Sequence, residues 1–127
     1  MRLTDTKSFD KGPKWSPDEK QIVFTSNRDG YNSLFTMNTD GTKQSRLNVP
    51  ANSSEGTWSP DGSRLVFVAG KGNDADIWII NSDGTNLKNL TNNKAREANA
   101  SWSPDGKSIV LVSERDENLE IYTMSVK

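Results

Sequence analysis

The 127 residues contain no histidine and no cysteine, which removes a large part of catalytic chemistry and turns attention to the carboxylates. That excludes Ser-His-Asp and Cys-His catalysis, histidine- or thiolate-ligated metals, and disulfides. A pair of carboxylates about 5–10 Å apart could still cleave a glycosidic bond. The run Asn73-Asp74-Ala75-Asp76 and the Asp-Gly pairs invite a calcium reading. None of them follows the spaced D-x-[DN]-x-[DN]-G loop with its terminal glutamate. The acids of the SPD turns (Asp18, Asp61, Asp105) and of the DGT turns (Asp40, Asp83) recur at fixed intervals, which points to turn-making rather than acid/base work. No cofactor and no enzymatic activity are expected. With 16 basic against 17 acidic residues there is no basic stripe, so no nucleic-acid partner is expected. No apolar run reaches the roughly 20 residues of a membrane-spanning helix, so no membrane insertion is expected either. The opening residues MRLTDTKSFDK lack the apolar stretch of a signal peptide.

Those recurring acids define the architecture. The pentapeptide WSPDG starts at Trp58 and at Trp102, and a near copy, WSPDE, starts at Trp15, giving spacings of 44 and 43 residues. Seven residues after each Trp an apolar run opens at Ile22, Leu65 and Ile109. A second run follows as LFTM (34–37), IWII (77–80) and IYTM (121–124), and the first two units continue into Asp40 and Asp83 of NTDGT and NSDGT. These runs are short, rich in β-branched and aromatic residues, and bounded by Gly, Pro, Asn and Asp, which predicts strands. Unit 1 divides into an inner strand KW, then QIVFTS, SLFTMN and an outer KQSRLN. Being apolar almost throughout, the second and third strands of each unit should be covered on both faces. Four strands per 40–45 residues is the pattern of a β-propeller blade. In Ser-Pro-Asp-Gly, Pro presets φ at the second position of a type I turn, Asp suits the third and Gly the fourth. Glu19 stands where the other units have Gly; positive φ there would cost roughly 1 kcal/mol. The recurring Trp15, Trp58 and Trp102, and Trp78 at the offset of Phe35 and Tyr122, are expected to pack rather than to stack a ligand.

The motif WSPDG…IVFVS…IYTMN.DGT…LT resembles the repeat of TolB-like propellers, found also in tricorn protease and in relatives of prolyl oligopeptidases. The resemblance implies an all-β fold, a six-bladed ring, and a periplasmic or otherwise extracytoplasmic setting; the residues themselves leave the compartment open. One domain, 1–127, is expected: an outer closing strand at about 1–5, blade 1 at about 9–48, blade 2 at about 53–91 and blade 3 at about 97–127. Three blades do not close a ring. MRLT aligns with SRLN (45–48), while unit 3 stops after IYTM. Two chains head to tail are therefore expected to form a homodimeric six-bladed ring, with Arg2, Leu3 and Thr4 pairing against Ile121, Tyr122 and Met124.

The SPDG and DGT turns fall on one rim. The other rim carries loops that differ between units, where binding residues tend to sit. Its candidates for contacting a protein or peptide partner are Arg28, Asp29, Tyr31 and Asn32 in unit 1, Lys71, Asn73 and Asp74 in unit 2, and Arg115, Asp116 and Glu117 in unit 3. Phe9, Glu55, Arg96 and Glu97 join them near the channel mouth. The alternatives are a propeller segment of a larger peptidase-like or envelope protein, or a chain shortened to study propeller assembly.

Overall fold

A computed structural model describes residues 1–126. Eleven strands follow one another: β1 (Asp10–Trp15), β2 (Gln21–Ser26), β3 (Ser33–Asn38), β4 (Ser45–Arg46), β5 (Ser53–Trp58), β6 (Arg64–Ala69), β7 (Asp76–Asn81), β8 (Lys88–Asn89), β9 (Glu97–Trp102), β10 (Ser108–Ser113) and β11 (Glu120–Ser125). They form three antiparallel sheets, β1-β2-β3-β4, β5-β6-β7-β8 and β9-β10-β11. The expected blades are present and in register. Trp15, Trp58 and Trp102 sit opposite Ile22, Leu65 and Ile109, at the same step of each hairpin.

Strand lengths differ from the sequence reading in two ways. The inner strands run six residues, well beyond KW, because each carries a bulge that lets it bend. The bulge residues Gly12, Glu55 and Asn99, three before each Trp, all have positive φ (62°, 59° and 54°). The outer strands β4 and β8 are only two residues long. Each gains one further bond, from Leu47 N to the Leu34 carbonyl (2.9 Å) and from Leu90 N to the Ile77 carbonyl (2.8 Å). Pro50, without an N–H, lies soon after the first.

Burial follows the seams between sheets. Val23, Leu34 and Leu47 of blade 1 meet Trp58, Leu65, Phe67 and Ile80 of blade 2. Val66, Ile77 and Ile79 of blade 2 meet Ala100, Ile109 and Leu111 of blade 3. Each such side chain contributes about 1.5–3 kcal/mol by leaving water. Gly56 permits the first seam, since a Cβ there would lie 3.2 Å from Val23 and 3.3 Å from Leu34.

Two expectations need correction. Two-sided burial holds for β2, β3 and β6 but fails in blade 3, where alternate residues of β10 and β11 face solvent. Packing of the repeated tryptophans holds for Trp58, 7% exposed, and fails for Trp15, 61% exposed. Among the described residues blades 1 and 3 each have a neighbouring sheet on one side only, which opens Trp15 and the outer face of blade 3. Leu3 packs over Ile22, Phe24, Phe35 and Met37 and keeps β2 and β3 buried.

Candidate functional site

The turn rim is chemically self-contained. In the SPDG turns, the Ser16, Ser59 and Ser103 hydroxyls donate to Asp18, Asp61 and Asp105 at 2.6–2.7 Å. The same Asp oxygens accept the amides of Lys20, Ser63 and Lys107 at 3.0 Å. These bonds lower all three carboxyl pKa values, Asp61 from 3.8 to about 2 through the Ser59 hydroxyl first and then the Ser63 amide and hydroxyl. Asp40 and Asp83 are likewise lowered by the hydroxyls and amides of Thr42 and Thr85. Acids held ionised by their own turns cannot act as proton donors near neutral pH. The position of Glu19 does take positive φ (62°), as do Gly62 (75°) and Gly106 (72°).

The opposite rim is built alike in blades 1 and 3 and differently in blade 2. Arg28 donates through Nε to Ser26 Oγ (2.9 Å) and through a terminal nitrogen to Asp10 (3.2 Å), with its guanidinium over the rings of Phe24 and Phe35. Burial opposes ionisation of Asp10, but hydrogen bonds from Ser26, Thr4 and Arg28 lower its pKa overall. Blade 3 repeats the device. Arg115 bonds Ser113 Oγ (2.8 Å) and Glu97 (3.2 Å), while Glu97, fully buried, also accepts from Asn93 (2.8 Å) and Ser113 (3.0 Å). Arg28, Arg115 and Glu97 thus tie a rim loop to its inner strand. The sequence reading missed this role, although its signal was there: units 1 and 3 carry an acid five residues before Trp and an Arg thirteen after, whereas unit 2 has Ser53 and Lys71.

The other candidates face outward to varying degrees. Asp29 and Tyr31 form a cluster with Arg46, which stands 3.5 Å from Asp29 and donates to the Tyr31 hydroxyl; Arg46 was not among the expected residues. The carbonyl of Asn32 accepts the Ser53 amide (3.1 Å), joining blades 1 and 2. Lys71, Asn73 and Asp74 are exposed on a short 3-10 turn, Gly72–Asp74. Asp116 and Glu117 are exposed at the tip of the β10–β11 loop, where Asp116 accepts the Tyr122 hydroxyl and raises its pKa. Phe9 is 77% exposed beside Asn27. Arg96 pairs with Glu114 (3.6 Å), and Glu55 accepts the Asn99 amide (3.2 Å) between adjacent bulges. Three outward clusters, one per blade, therefore line this rim. Among the described residues no group of three or more His, Cys, Asp and Glu could hold a metal ion.

Residues 48–127 match the family model of the TolB beta propeller domain, and this is more than half of the chain. The chain belongs to the TolB β-propeller family. The Tol-Pal system protein TolB of Nitrosomonas europaea is 35% identical over 51 residues, covering 40% of this chain and 12% of that protein. TolB of Acinetobacter baumannii superposes with a TM-score of 0.80 at 22% identity, over 97% of this chain and 31% of that one. A puromycin-hydrolyzing peptidase of Mycobacterium tuberculosis gives 0.81 at 15% identity, over 94% and 21%. The chain thus spans a minor part of the proteins it matches. The two structural likenesses speak for the fold alone.

Proposed function

We propose that this chain is a non-catalytic propeller module that binds a protein or peptide through its loop rim and channel mouth, in an extracytoplasmic setting like that implied by its TolB relatives. One contrast carries this reading. On the turn rim the carboxylates are consumed by their own turns. On the loop rim Lys71, Asn73, Asp74, Asp116 and Glu117 project into solvent from a scaffold of fixed blade geometry. Asp29, Tyr31 and Arg46 add an aromatic and charged cluster on the same rim. Arg28, Arg115 and Glu97 preorganise that surface by anchoring its loops.

The test is selection from a displayed random-peptide library against the immobilised protein. Binders should weaken at least about tenfold on Lys71→Glu or Tyr31→Ala, and should ignore Lys20→Glu and Lys107→Glu on the turn rim. Binders indifferent to the loop rim would sink the reading.

A second reading is a blade set within a longer envelope or peptidase-like protein. It is favoured by the coverage of 31% and 21% of the two structural relatives. In either setting the three blades form part of a ring, and two copies of this chain would supply the six blades of one.

A further inference from the structure

We propose that the ring is closed by a second copy of this chain, blade 3 of each copy docking on blade 1 of the other. This rests on the propeller reading above and names its partner.

The internal seams supply the template. At each seam a Trp reaches back one blade: Trp58 Nε1 donates to the Lys14 carbonyl (3.3 Å) and Trp102 Nε1 to the Thr57 carbonyl (3.1 Å). Trp15 holds the same place in blade 1, with no preceding sheet among the described residues to receive it. The matching acceptor is the carbonyl of Ser101, one residue before the Trp of blade 3.

The side chains fit as well. In the seam between blades 1 and 2, Val23 and Leu34 fill the space beside Gly56, Phe67 and Ile80, capped by Leu47. The corresponding place on blade 1 is a hollow of about 180 Å³ lined by Leu3, Pro13, Phe24 and Met37, among others. Leu3 already packs over this face, taking the position of the seam-capping Leu47 and Leu90. The residues of blade 3 equivalent to Val23 and Leu34 are Val110 and Ile121, which stand 43% and 79% exposed. An apolar hollow and two exposed apolar side chains thus sit at matching positions on opposite ends of the arc. Between three-bladed halves, a two-fold axis makes both joints at once.

Charge selects a second copy over an unrelated blade. Arg46 lies across β3 and pairs with Asp29 of its own loop. Arg2 is the residue before Leu3 as Arg46 is before Leu47, and Asp116 is the residue after Arg115 as Asp29 is after Arg28. With residues 2–4 added alongside β11, Arg2 meets Asp116 of the other copy. Within one copy Arg2 instead pairs with its neighbour Asp5 (2.9 Å) at the surface. β11 has no strand on its outer side among the described residues, and such an edge recruits another chain.

Light scattering on the 127-residue chain tests this, with circular dichroism to report the fold. The expected mass is two copies of 14.1 kDa. Ile121→Glu should yield single copies with the β-sheet spectrum retained. Arg2→Asp and Asp116→Arg should each raise the dissociation constant by about tenfold or more, and their combination should restore it. If Ile121→Glu unfolds, the charge-reversal pair still decides the matter. A folded wild-type chain of single-copy mass, with Trp15 open to acrylamide quenching, overturns the closure and leaves the module reading standing. So does a dimer indifferent to all these changes. Loss of the β-sheet spectrum in the wild type would instead strike the propeller reading itself.

Discussion

The seam between blades 1 and 2 and the free face of blade 3 are made from the same repeat positions, yet one is buried and the other open. Leu34 is fully buried while Ile121, its equivalent, is 79% exposed; Val23 is fully buried and Val110 is 43% exposed. The difference does not lie in the side chains, which are apolar in every case. It lies in whether another sheet follows. A propeller blade is therefore complete as a sheet but incomplete as a core, and its stability belongs to pairs of blades.

The largest expected effect tests that statement directly. Trp58→Ala should cost about 3–5 kcal/mol, read by urea unfolding, because it empties a closed seam and removes the bond to Lys14. Trp15→Ala removes the same ring from an open face. At protein concentrations too low for association it should change stability by under about 1 kcal/mol. At high concentration it should abolish any dependence of the unfolding midpoint on protein concentration. Equal costs for the two changes would mean that burial at the seam is not what makes the blades cohere.

The next contrast sets blade 3 against blade 2 on the loop rim. Arg115→Ala strands the buried Glu97 carboxylate with only Asn93 and Ser113 for partners. That should cost about 2–3 kcal/mol, less than a fully buried pair because Arg115 itself is partly exposed. Lys71→Ala, at the same repeat offset, should fall within about 0.5 kcal/mol of wild type. If both proved silent, the anchoring role assigned to Arg115 would fail, and it would return to the pool of binding residues.

This contrast also shows where sequence reading reached and where it stopped. Strand order, register and turn chemistry were legible because backbone pairing repeats with a fixed offset from each Trp. The positive φ at Glu19 was legible as a condition, since Gly occupies that place in two of three units. The anchoring of Arg28 and Arg115 was not, because their acids lie eighteen residues away on another strand. Loop-tip charge and buried charge look alike in one dimension. The exposure of Trp15 was missed for the opposite reason: repeat position tells what a residue packs against, and says nothing of whether that neighbour is there.

Glu19→Gly should then stabilise the protein by roughly 1 kcal/mol or a little less, as the left-handed strain is relieved at some cost in chain entropy. Gly62→Ala should move stability the other way by a similar amount. A neutral result at both positions would show that these turns flex enough to absorb a side chain, and would weaken the parallel drawn between the three units.

The smallest effect separates the turns from one another. Asp61 accepts a second hydroxyl, from Ser63 (2.7 Å), where the other SPDG turns have Lys20 and Lys107. Its pKa accordingly lies at about 2, from an ordinary 3.8. A carboxylate whose pKa is depressed by folding stabilises the native state above its unfolded value and loses that contribution as pH falls through the folded one. The contribution of Asp61 should therefore be complete above about pH 4 and fade between 3.8 and about 2. Ser63→Lys should raise this pKa towards those of Asp18 and Asp105 and move the fading to higher pH, as followed by carboxyl-carbon NMR titration. Because Asp61 is solvent-exposed, the effect on overall stability should be small. An unmoved titration would mean that the Ser59 hydroxyl and the Ser63 amide hold the ionised form by themselves. The three turns would then be electrostatically equivalent even though Asp61 alone accepts a third bond.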